Sequence, residues 1–167
     1  MKKFFFVSLI FIVTLFTLLG ASSIPKTYKD ISLPSLVAEE GEISLKSVID
    51  REDTKYVLLD FWASWCFPCM GEVPYLVKAY DKYKSKGFEI YGCSLDESGE
   101  DWATAVKKKN MNWIHVSDLK GWKNAGAALY EVRSIPTNYL IDCSTGKIVA
   151  TDLRGTNLAA KLAELLD

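Results

Sequence analysis

The chain has 167 residues, 49% hydrophobic and 25% charged, a globular composition that argues against a disordered or fibrous protein and suits about one domain. Its formal net charge is −1. Without a leader that carries Lys2 and Lys3 it holds 18 basic against 21 acidic residues, which argues against nucleic acid as a partner. The one basic cluster, Lys107 to Lys109, reads as the solvated end of a helix.

Met1-Lys2-Lys3, the apolar run Phe4 to Leu19 and the small residues Gly20-Ala21-Ser22-Ser23 have the charged, apolar and small-residue regions of a secretory signal. The 16-residue run contains Ser8, Thr14 and Thr17 and is short for a membrane span, so residues 1–22 read as a signal peptide or as an uncleaved N-terminal anchor. Either places residues 23–167 in the periplasm or another extracytoplasmic space. No cysteine follows the run, which leaves no site for a lipid-modified cysteine anchor.

From Ile24 to Glu42, Pro25, Pro34 and Gly41 bracket short apolar runs that predict an opening hairpin or short strands. Leu45, Val48 and Ile49 have helical spacing. Tyr56 to Trp62 is nearly continuous in apolar residues, as a strand buried on both faces would be. Val73, Leu76, Val77, Tyr80 and Tyr83 define a helix that stops at Gly87, and Phe88 to Leu95 is the next strand. Ser98 with Asp101 marks a helix start, with Trp102, Ala105 and Val106 on its apolar face. A short strand near Trp113 to Val116 and a helical or irregular piece from Gly121 to Tyr130 follow. Thr137 to Asp142 and Lys147 to Thr151 flank a turn, and Leu158, Leu162 and Leu165 form a closing amphipathic helix. The alternation predicts an α/β domain with a central mixed sheet flanked by helices.

Cys66-Phe-Pro-Cys69 lies where the buried strand gives way to a helix, so the two sulfurs share one side of the first helical turn. At a helix N-terminus the unpaired N–H groups favour a thiolate, which makes Cys66 the exposed nucleophile and Cys69 the more buried resolving thiol. A disulfide closing so short a loop adds little stability through chain entropy and is suited to cycling. Zinc and a plain structural disulfide are the rivals. A tetrahedral zinc site would need Cys93, Cys143 or His115 as further ligands, and none forms a second close pair, so no metal is expected.

Leu58-Leu-Asp-Phe-Trp-Ala-Ser-Trp-Cys-Phe-Pro-Cys69 with Glu72 and Pro74, Ser94-Leu-Asp96, and Ser134-Ile-Pro-Thr-Asn-Tyr-Leu-Ile-Asp142 resemble the thioredoxin superfamily. Within it the chain is similar to the exported TlpA/ResA-like reductases, which carry an AhpC/TSA-type thioredoxin-like domain. The resemblance implies a thioredoxin-like fold with an N-terminal strand or hairpin extension and a Cys66–Cys69 dithiol-disulfide cycle with no other cofactor. It also implies a cis-Pro136 facing the cysteines, with Ile135 presenting backbone to an extended substrate. Trp65 is implied at the surface beside the nucleophile, where it, Phe67 and Pro68 would contact substrate. The implied partners are oxidised extracytoplasmic proteins, including those of cytochrome c biogenesis, and a membrane-embedded thiol-electron donor.

Asp60 lies within the apolar strand, where a carboxyl is costly without a function or partner, and is a proton-transfer candidate. Thioredoxins have a buried acid here, whereas TlpA/ResA-like proteins have a Glu three residues after the second cysteine, here Glu72. This chain has both. The lysine that usually partners the strand acid should lie on the next strand, and Phe88 to Leu95 contains none. Trp62 and Pro74 have structural readings, as core ring and helix kink.

Two other functions fit parts of the pattern. A thiol peroxidase is suggested by Ala63-Ser64-x-Cys66, although the chain has no glutamine and lacks the peroxiredoxin Thr/Ser three before the cysteine. A copper-binding assembly protein would use the cysteine pair with a histidine, and the lone His115 sits in an apolar strand.

Overall fold

The computed structural model describes residues 26–167, and the leader predicted over residues 1–22 lies outside them. Among the described residues no helix is long and apolar enough to cross a membrane. The chain enters through a two-stranded antiparallel sheet, β1 (Ser32–Pro34) and β2 (Glu42–Ser44). Ser44 then caps the short helix α1 (Leu45–Ile49) by accepting from the Ser47 N–H.

The core is a five-stranded sheet. Its central strand is β3 (Tyr56–Trp62), whose residues from Val57 to Trp62 are all buried, as an apolar run covered on both faces requires. β4 (Phe88–Ser94) runs parallel to it, and β5 (Ile114–Val116) runs parallel to β4. On the other side β6 (Thr137–Asp142) is antiparallel to β3, and β7 (Lys147–Thr151) is antiparallel to β6. The order is therefore β5-β4-β3-β6-β7, a mixed sheet. The strand predicted to Leu95 ends at Ser94, and the one predicted from Trp113 begins at Ile114.

Helix α2 (Phe67–Tyr83) follows β3 and runs through Pro74. It buries Val73, Leu76, Ala79, Tyr80 and Tyr83, and a short 3₁₀ turn carries it to Gly87. Gly87 has φ 97°, and a Cβ there would meet the Asp53 carbonyl oxygen at 2.8 Å, so glycine is what lets the chain turn back into β4. Ser98 caps α3 (Gly99–Lys108) by accepting from the Asp101 N–H, and Lys107 to Lys109 are exposed. The irregular piece resolves into a 3₁₀ turn at Gly121–Lys123 and α4 (Ala125–Leu129). The closing helix α5 (Thr156–Leu166) buries Leu158 and Leu162, and Asp167 pairs with Lys82 and Lys86 at the end of α2.

Gly92 in β4 allows a close approach. A Cβ there would lie 3.0 to 3.2 Å from His115 Nδ1, Trp113 Nε1 and Trp62 Nε1, so the missing side chain lets three buried rings close over the strand.

Candidate active site

The site forms where β3 ends, because Cys66 is the N-cap of α2. Its Sγ accepts from the Cys69 N–H at 3.2 Å, while its carbonyl takes the Met70 N–H at 3.0 Å. Pro68 fits the first turn, where its missing N–H is no loss. Cys66 and Cys69 are joined in a disulfide with Cα atoms 5.2 Å apart. The expected contrast between an exposed Cys66 and a buried Cys69 does not hold in this oxidised pair, whose residues are 5% and 3% exposed. The reason is local: the Cys66 sulfur is bonded to Cys69 Sγ and accepts the Cys69 N–H in the first turn of α2.

The loop before the cysteines is held by Asp96, a buried residue that follows β4. Its carboxylate accepts from the Ser64 N–H at 3.0 Å, from Ser64 Oγ at 2.5 Å and from Ser94 Oγ at 2.6 Å. These charge-assisted bonds fix the chain two residues before Cys66. Around the disulfide the surface is aromatic. Trp65 is 54% exposed and Phe67 88% exposed, and Pro68 is exposed beside them. Trp122, which the sequence reading did not select, is half exposed and stands 6.2 Å from Trp65 between ring centroids. Trp62 by contrast is a core ring.

Beneath the disulfide lies a narrow cleft of about 10 Å³, on the scale of one water molecule, lined by Asp60, Cys69, Glu72, Pro136, Asn138 and Arg154 among others. The Ile135–Pro136 peptide bond is cis, and both residues are half-buried. Asp60 is buried in the middle of β3, opposite Asn138 of β6. Burial pushes its carboxyl up to about 7; the Arg154 guanidinium and the Asn138 amide pull it down, and the Glu72 carboxylate adds to the rise.

Glu72 faces the cleft instead of solvent, and its Oε2 accepts from the Gly155 N–H at 2.6 Å. β4 lacks the lysine that the family places near the strand acid, and the cation that lines the cleft with Asp60 is Arg154, from the loop between β7 and α5. Its side chain donates to the Pro136 carbonyl oxygen, to the Leu153 carbonyl oxygen at 3.1 Å and to Asp152 at 3.3 Å. Nothing in local sequence marked Arg154 or Asn138; the Leu153-Arg154-Gly155 stretch reads as a loop until the sheet closes it over the cleft.

The other titratable groups lie elsewhere. His115 is buried on β5 with Nε2 on the Met111 carbonyl oxygen at 3.0 Å, and burial pushes its imidazole down to about 4. It packs on Trp62 and Trp113. Cys93 and Cys143 are both free thiols. Cys93 donates to Asn124 Oδ1 at 3.4 Å, and burial pushes its thiol up.

The sequence matches the AhpC/TSA family over residues 24–151. It is similar to the thiol-disulfide oxidoreductase ResA of Bacillus cereus, 41% identical over 95 residues that cover 57% of this chain and 53% of that protein. A tryparedoxin of Trypanosoma brucei brucei is 35% identical over 122 residues, 72% of this chain and 81% of that one. The chain spans about half the length of the B. cereus ResA it matches. Among solved structures, the thioredoxin domain of a Bacteroides vulgatus thiol-disulfide oxidoreductase superposes with a TM-score of 0.75 at 33% identity, covering 87% of this chain and all of that one. A thiol-disulfide oxidoreductase from Bacteroides fragilis gives 0.73 at 38% identity, covering 84% of this chain and all of that one. With a mixed five-stranded sheet and a cysteine pair at the start of its second helix, the chain belongs to the AhpC/TSA family and has the thioredoxin-like fold of the ResA-like proteins.

Proposed function

We propose that the chain is a thiol-disulfide oxidoreductase that works outside the cytoplasm as a reductase of protein disulfides. The observation that carries this reading is the Cys66–Cys69 disulfide at the N-terminus of α2, with two carboxyl groups in the cleft on the Cys69 side. ResA proteins of similar sequence bear the name of the same activity.

In the reduced form the Cys66 thiolate attacks one sulfur of a substrate disulfide, and the other substrate sulfur leaves as a thiolate that takes up a proton. Cys69 then gives its proton to the cleft, to Asp60 or Glu72 directly or through one water, and attacks Cys66 Sγ. The Cys66–Cys69 bond forms as the mixed disulfide breaks, and the second substrate sulfur departs as a thiolate that takes up the proton held in the cleft, which leaves the acid ready for the next cycle. Two electrons and two protons have passed to the substrate. A dithiol of the membrane-embedded donor returns them. Trp65, Phe67, Pro68 and the backbone at Ile135 and Pro136 would hold the extended client.

The direction follows from what stabilises the reduced pair. A strongly oxidising pair needs an unusually acidic nucleophile, and Phe67-Pro68 supplies neither charge nor histidine to make one. Acidic groups near Cys69 disfavour further negative charge there and leave the dithiol a readier donor. The secretory pattern of residues 1–22 supports export, either as a cleaved signal or as an anchor.

The test is trapping in the native compartment. Cys69→Ala should accumulate mixed disulfides between Cys66 and its clients, which mass spectrometry would name, and Cys66→Ala should accumulate almost none. A Cys69→Ala protein that traps nothing, or a reduction potential near those of strong oxidants, would overturn the reductase reading.

A further inference from the structure

The corner at residues 152–155 is tied to the site from three sides. The Leu153 N–H donates to Asn138 Oδ1 at 2.9 Å, and Asn138 Nδ2 donates to the Leu153 carbonyl oxygen at 3.0 Å, so both backbone groups of Leu153 are held by β6. The Gly155 N–H is held by Glu72 of α2. Arg154 lies between them, its guanidinium on the carbonyl oxygen of Pro136. Asp152 and Gly155 have positive φ values of 51° and 53°, so the chain on both sides of Leu153-Arg154 takes an unusual backbone conformation as it brings this one side chain over the cleft.

We propose that Arg154 is the positioning residue of this site: it supplies, from the loop after β7, the positive charge opposite the Asp60–Glu72 carboxylates, and ties that charge to the Pro136 carbonyl. The inference rests on the disulfide-exchange reading above and deepens it. β4 carries no cation, and a buried acid flanked only by a second acid would keep its proton at neutral pH and could not accept one from Cys69. The guanidinium keeps Asp60 within reach of neutral pH. It also makes the proton acceptor sensitive to the substrate-facing strand, because whatever displaces the Pro136 carbonyl displaces the charge opposite Asp60.

The groups that face Asp60 are few. α2 brings Cys69 and Glu72, β6 brings Asn138, and the loop brings Arg154. β4 places Gly92 in register with Asp60 and Cys93 next to it, and β5 continues the row with His115, which is neutral above about pH 4. Arg154 is therefore the one permanent positive charge among them.

The test uses Arg154→Gln, which keeps a donor for the Pro136 carbonyl, and Arg154→Lys, which keeps the charge. The ionisation midpoint of Asp60 is followed by carboxyl ¹³C NMR, alongside the pH profile of exchange with a small aromatic disulfide. In Arg154→Gln the midpoint and the alkaline-rising limb of the profile should both move up by about one pH unit, and Arg154→Lys should restore most of the shift. An unmoved midpoint in Arg154→Gln would overturn the proposal. So would equal shifts in both variants, which would leave Arg154 only its hydrogen bond to Pro136. A wild-type protein that exchanges no disulfide would instead defeat the functional reading, while the NMR midpoint would still decide the role of Arg154.

Discussion

Glu72 and Gly155 are 83 residues apart in the chain, yet the carboxylate of one accepts the backbone N–H of the other at 2.6 Å. This bond joins the second turn of α2 to the start of α5 and brings the Arg154 loop to the cysteines. Glu72→Ala should therefore loosen the loop as well as remove a carboxylate. A hydrogen bond to a charged group contributes about 1.5–3 kcal/mol, and a loss in that range is expected on denaturation. Hydrogen exchange of the Gly155 amide should rise in Glu72→Ala and much less in Glu72→Gln, whose amide oxygen can still accept. Unchanged exchange at Gly155 in Glu72→Ala would contradict the link.

Asp60 gives stability a pH dependence of definite sign. Its carboxyl is pushed from an ordinary 3.8 up to about 7, so the folded protein holds a proton that the unfolded chain releases. Stability from this group is thus full below about pH 4 and falls as pH rises to about 7. Each unit is worth about 1.4 kcal/mol, and Asp60→Asn should exceed the wild type in stability by a few kcal/mol at neutral pH, the gap closing in acid. His115 acts with the opposite sign, since a depressed imidazole pKa costs stability as pH falls from 6.5 towards 4. It is present in both proteins and cancels in the difference. Urea denaturation of the oxidised pair across this range is the measurement, and parallel curves would refute the assignment.

Cys93 and Cys143 should stay free whatever the redox state of the active pair. Cys93 lies in β4 and Cys143 just past β6, with β3 between them, and strands two apart are separated by roughly 10 Å. Thiol counting on the oxidised, denatured protein should find two thiols. In the native state Cys93, fully buried, should be silent, and Cys143, whose half-buried thiol is pushed up to about 12, should react slowly. Finding no thiols after denaturation would disprove the separation.

Trp122 should matter to clients more than to chemistry. It stands beside Trp65 at the rim of the site, and an aromatic contact of this kind is worth about 0.5–1.5 kcal/mol. Trp122→Ala should raise KM for a protein disulfide about two- to tenfold and leave the rate with a small disulfide unchanged. Steady-state kinetics with both substrates would separate the two, and equal losses on both would remove Trp122 from the docking surface.

What the sequence determined by itself is local. Tyr56 to Trp62 announced a doubly covered strand because it is apolar but for Asp60, and Cys66 and Cys69 announced the reactive pair at a helix start because their spacing puts both sulfurs on one side of its first turn. Ser98 marked a cap and Gly87 a stop for the same kind of reason. Asp60 and Glu72 were legible as misplaced or motif-bound carboxylates. What they face was not, because Asn138 and Arg154 reach them through the antiparallel pairing of β3 with β6 and the positive-φ corner after β7. Trp122 was hidden likewise, since nothing in residues 121–123 points to Trp65 before the loops are folded together. The burial of Cys66 was misread because a sequence gives the residue at a helix terminus, while its exposure depends on where the sulfur turns once it is bonded. Periodicity and capping act over a few residues of one chain segment, whereas the countercharge of a buried acid is set by contacts between segments 80 or more residues apart, which only the closed sheet brings together.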